Sequence, residues 1–123
     1  MSGVNIAALV LVGLVAALHA YFLVLEMFLW TAPRTRAAFG TTAEFAESSK
    51  ALAANQGLYN GFLAAGLVYG IVADDPVGFA MRVFFLACVI VAGLYGAATA
   101  SRRILLVQAL PGALALIAVV LAH

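Results

Sequence analysis

Charge is scarce in this chain: 6 Lys and Arg and 5 Asp and Glu make up 9% of its 123 residues. A soluble domain carries about 25% charged residues, so a soluble fold is excluded. The net charge of +1 offers no basis for a nucleic-acid partner or a strongly anionic one. A single cysteine, Cys88, excludes an intrachain disulfide and reads as a small buried hydrophobe. With only two histidines, His19 and His123, and no cysteine cluster, no metal site is expected. No phosphate-binding loop, catalytic triad or nucleophile elbow is present. Period-two alternation is missing as well, which excludes a β-barrel.

What the chain has instead is apolar length. Hydrophobic residues make up 67% of it, and its mean hydropathy is +1.16. Four stretches of spanning length can be read: 4–30, 51–73, 78–100 and 104–122. The expected fold is all-α: a single four-transmembrane-helix bundle over residues 1–123, in the bacterial inner (plasma) membrane. The first stretch is expected to be a retained span, not a cleaved signal peptide. No Lys or Arg precedes Arg34, and the apolar run exceeds the roughly 7–15 residues of a signal core.

The cations suggest sidedness. Arg34, Arg36 and Lys50 fall in the first connection and Arg102 and Arg103 in the third. With four crossings these share one face, which the positive-inside rule makes cytoplasmic, leaving both termini extracytoplasmic. In the first connection, Thr41 and Glu44 fit a capping box, so a helix is expected to start there and to reach or continue into the second span. Gly57 is where such a long helix could bend. The pairs Gly57/Gly61 and Gly66/Gly70, with Gly93 and Ala97 on the third span, predict close helix packing. Pro111-Gly112 predicts a kink in the fourth span that frees the Val107 carbonyl. A bundle this small buries little on its own, which points to a homo-oligomer within the lipid bilayer.

The candidate site comes from polar residues in apolar surroundings. His19 and Glu26 are seven residues apart, about two helical turns, on the stripe His19, Leu23, Glu26, Trp30. Asn55, Gln56, Tyr59 and Asn60 open the second span, and Gln108 lies about one turn into the fourth. Side by side, these groups are expected at similar depth, with His19 deeper. A carboxylate, carboxamides and a phenol converging in a low dielectric can bind each other, a ligand or water. Each has a plainer explanation too. Asn and Gln serve as interhelical glue, Glu26 can pair with Lys50 or Arg34, and His19 can be a hydrogen-bonded core residue. His19 and Glu26 are about 10.5 Å apart in rise, too far to clasp one ion as an i, i+4 pair does. Haem on His19 would rest on that residue alone, so no cofactor is assigned.

Three segments carry a family likeness: Leu18 to Trp30 with His19, Glu26 and Trp30; Ala54 to Ala64 with Asn55-Gln56-Gly57-x-Tyr59-Asn60; and Ala92 to Ala97. Over essentially the whole chain, Gln108 and Pro111 included, it resembles a bacterial family of small integral membrane proteins, domain of unknown function 1304. The resemblance implies four spans and makes His19, Glu26, Asn55, Gln56, Tyr59, Asn60 and Gln108 the family-type polar set. More distantly the chain is similar to the membrane-associated eicosanoid and glutathione metabolism proteins. Those have four spans, outward termini and a cytoplasm-facing site between trimer subunits. Lys50 to Gln56 falls at their second-helix start, with Lys50 in place of an arginine and Tyr59 near the position of a missing Glu.

Three functions follow as expectations. The first is binding or transport of a small polar or amphipathic ligand, with Glu26 and His19 protonatable and the amides orienting it. The second is a membrane enzyme on a lipid-soluble substrate, glutathione-transferase-like or isomerase-like, using Glu26 or His19 as acid or base and Tyr59 as proton donor. The third is a structural oligomer held by the amides.

Overall fold

The computed structural model describes residues 3–123. Five α-helices run α1 (Gly3–Phe28), α2 (Pro33–Phe39), α3 (Ala43–Val72), α4 (Val77–Thr99) and α5 (Leu110–Ala122), with a π-helical turn at Leu105–Ala109 leading into α5.

Among the described residues three helical segments, not four, are long and apolar enough to cross a membrane: Gly3–Phe28, Val77–Thr99 and Leu105–Ala122. The expected four-transmembrane-helix bundle is therefore corrected. The stretch that fails is 51–73, which forms part of α3. Asn55, Gln56, Tyr59 and Asn60 interrupt it, and the apolar remainder, 61–72, rises only about 18 Å against a hydrocarbon core of about 30 Å. Sidedness goes with it, because the extracytoplasmic placement of both termini rested on four crossings.

The first connection also holds more structure than its sequence suggested. Pro33 sits in the first turn of α2, where its missing N–H costs nothing, and Gly40 closes the helix in the left-handed region at φ 70°. The cap of α3 lies one residue later than expected. Thr42 Oγ1, not that of Thr41, accepts the Phe45 N–H at 3.1 Å, and Glu44 then lies in the first turn, where the helix dipole favours an acid. From there α3 runs unbroken through Gly57.

The chain forms two compact units. One comprises the residues up to Ala17 together with Leu63–His123. Its core is built from Val12 and Val15 of α1, Leu67 of α3, Leu86 and Val89 of α4, and Ala115 and Val119 of α5. These helices approach closely where side chains are missing. The Phe85 ring lies across Gly66, and a Cβ on Gly93 would stand 2.7 Å from the Ala109 backbone nitrogen. The irregularity expected at Pro111 takes the form of the π-helical turn. Leu110 N–H reaches back to the Leu105 carbonyl, widening the helix just before the proline ring. Val91, Leu94, Leu114, Ile117 and Leu121 lie exposed on the outside of this unit, an apolar exterior suited to lipid.

The other unit, Leu18–Phe62, holds the end of α1, all of α2 and the first part of α3. Thr35 and Ala46 are buried within it.

Candidate functional site

The second unit contains six of the seven candidate residues. Here the end of α1 and the beginning of α3 run antiparallel, as three sets of contacts show. Leu23 lies against Gly61; Leu23, Glu26 and Met27 surround Gly57; and the Trp30 indole N–H donates to Ser49 Oγ at 3.0 Å. The Trp30 ring also meets Phe39 of α2 edge-on, with centroids 5.0 Å apart. The approach depends on glycine. A Cβ on Gly57 would stand 2.7 Å from Met27 Cγ and 3.3 Å from the Leu23 carbonyl oxygen.

At this crossing Asn60 Nδ2 donates to Glu26 Oε1 at 2.5 Å. A carboxylate can only accept, so the bond fixes which end of the carboxamide faces it. Glu26 is half-buried in the last turn of α1. An acid there opposes the helix dipole and loses solvation, and the Asn60 amide offsets part of that cost. Glu26 thus breaks a local rule and has a dedicated partner. Lys50, one of its expected partners, is engaged by Glu47 at 2.6 Å on the exposed face.

The remaining candidates differ in exposure. His19 is 0% exposed, with its ring edge-on to Phe22, while Asn60 is 7% exposed. Asn55 and Gln56 are exposed, as is Tyr59 at 51%. Gln108 belongs to the first unit, half-buried on the π-helical turn. Glu26 and Asn60 share the hydrogen bond at this crossing. Gly57 accompanies them as the residue that lets them meet. Among the described residues no group of three or more His, Cys, Asp or Glu is placed to hold a metal ion.

One polar group was not singled out from the sequence. Arg82, in the apolar α4, donates through Nη1 to the Gly70 carbonyl at 2.6 Å and through Nη2 to Asp75 Oδ1 at 3.2 Å. The signal was available: a lone arginine inside a span requires partners, and the Asp74-Asp75 turn lies one helical run upstream.

The chain is similar to "Uncharacterized protein YpaA" of Lactococcus lactis subsp. lactis (strain IL1403). The two are 33% identical over 118 residues, 94% of this chain and 96% of that one. No solved structure matches. The comparisons give no support to the more distant eicosanoid and glutathione metabolism likeness. A family model, "Protein of unknown function (DUF1304)", matches residues 13–120, a stretch that takes in all seven candidates. With its apolar helices of spanning length the chain is a bacterial multi-pass membrane protein, and it belongs to the DUF1304 family.

Proposed function

We propose that the chain binds a small polar or amphipathic molecule at Glu26, and that this underlies a binding or transport role in the membrane. The observation that carries it is the Glu26–Asn60 hydrogen bond at the glycine-lined crossing of α1 and α3. A carboxylate has two oxygens and about four acceptor sites, and Asn60 occupies one of them. What remains suits a donor, such as a hydroxyl, amide or ammonium group. Gln56, exposed one turn before Asn60 and on the same side of α3, is available to orient the polar part of such a ligand, whereas Asn55 and Tyr59 project from the opposite side of the helix. His19 is sealed from solvent with its ring against Phe22, so it does not open to a ligand arriving at Glu26 from solvent.

The same bond supports a second, purely structural role. It ties α1 to α3 alongside the Trp30–Ser49 bond, and interhelical bonds of this type contribute roughly 0.6–2 kcal/mol. Ligand-dependent stability separates the two. Purified wild type is heated in detergent with a panel of small hydroxylated, amidic and cationic compounds. At least one is expected to raise its Tm through mass action, and Glu26→Gln, still folded, is expected to lose that shift. Equal shifts in both proteins would remove Glu26 from the site. A lower Tm for the variant with no compound-dependent shift in either would favour the structural tie.

A further inference from the structure

The first unit holds a cavity of about 330 Å³ where the Asp74-Asp75 turn meets α1, α4 and the end of α5. Its lining residues all belong to that unit, so it is a separate feature from the Glu26 crossing. We infer that this cavity binds a primary ammonium group carried on a small apolar body, with Asp74 as the counter-charge.

The charges on its wall decide the sign of the ligand. Asp75 is engaged, because its Oδ1 accepts the Phe79 N–H at 2.9 Å and Arg82 Nη2 at 3.2 Å. Arg82 is engaged in turn, by Asp75 and by the Gly70 carbonyl at 2.6 Å. Their opposite charges offset each other in a fixed geometry. Asp74 is left with an exposed carboxylate that none of the described residues bridges, so an anion would be repelled and a cation attracted. Ala8, Leu9, Ile71 and Val119 supply apolar lining. Phe79 and His123 add a flat wall, their rings stacked 3.7 Å apart at 14°. A carboxylate beside an apolar pocket complements an amine with a hydrocarbon body, and the volume, at the low end for ligand sites, limits that body to about the size of one ring.

Such an amine has two sources in a membrane: a free lipophilic amine, or the ethanolamine headgroup of a phospholipid. Calorimetric titration of the full chain in phosphatidylglycerol nanodiscs with phenethylamine tests the first. Native mass spectrometry after equilibration with equal phosphatidylethanolamine and phosphatidylglycerol tests the second. In a Glu26→Gln background, which removes the other carboxylate proposed to take an ammonium group, saturable phenethylamine binding is expected, weakened about five- to tenfold by adding Asp74→Asn and blocked by adding Leu9→Trp, which fills the cavity. 2-Phenylethanol, which lacks the charge, is not expected to bind. Selective retention of phosphatidylethanolamine, lost in Asp74→Asn, would support the same site with the headgroup as ligand. If neither amine binds saturably, or both bind as well with Asp74→Asn as without it, the assignment is overturned.

Discussion

Gly57→Val is expected to force α1 away from α3 and to abolish ligand retention at Glu26 together with part of the fold's stability. The new Cβ would stand 2.7 Å from Met27 Cγ, 3.1 Å from Glu26 Cβ and 3.3 Å from the Leu23 carbonyl oxygen. Met27 is flexible and can swing its thioether aside. The Leu23 carbonyl is helix backbone and cannot, and the γ-methyl groups of valine add further volume. Overpacking of this kind costs about 1–3 kcal/mol, enough to lower the Tm in detergent by several degrees. Because the helices part where Asn60 reaches Glu26, the carboxylate loses its donor at the same time. Leu58→Val, a change at a neighbouring exposed position, is the control expected to leave both properties intact. Wild-type behaviour in Gly57→Val would mean that the helices do not cross this closely.

The second large effect lies in the other unit. Leu86→Ala should be among the most damaging single truncations, because Leu86 is 0% exposed in the cluster with Val12, Leu67 and Val89. In water a Leu→Ala change in a core costs about 2–5 kcal/mol, a transfer contribution plus one from the cavity left behind. In a bilayer the transfer part shrinks, since lipid is as apolar as leucine, but the lost dispersion contacts remain. A loss near the lower end, about 2 kcal/mol, is expected in SDS or thermal unfolding. Leu94→Ala, removing a side chain 53% exposed, should change stability little. Equal losses from the two would argue against the core as described.

Much of this architecture is legible in the residues because apolar length reports helices in a membrane. The segments Val4–Trp30, Gly78–Ala100 and Ile104–Ala122 correspond closely to α1, α4 and the π-helical turn with α5. The second stretch, 51–73, has the length of a span, but the polar residues in its first turns dilute it below spanning character. α2 escaped notice because seven residues give little periodicity; only Pro33 and Gly40 at its ends signal it.

The site is half legible for a geometric reason. Polar residues near the start of the second stretch announce that something is there, but they surround the helix and do not identify its inner face. Gly57 and Gly61 do. Measured from Gly57 at about 100° per residue, Gly61 lies about 40° round the helix and Asn60 about 60°, whereas Asn55 and Tyr59 lie about 160° away. The buried Asn60 and the exposed Asn55 and Tyr59 follow that division. The glycines mark the face, and the amide nearest them is the one that meets Glu26.

The most direct test of Glu26 as a ligand-binding group is native mass spectrometry of the protein gently extracted from its membrane, wild type beside Glu26→Gln. The expected result is a small molecule retained by the wild type and lost from a variant that is still folded. The same spectrum from both proteins, whether bare or carrying the same molecule, would contradict a binding role for Glu26 and leave its hydrogen bond to Asn60 as a tie between helices.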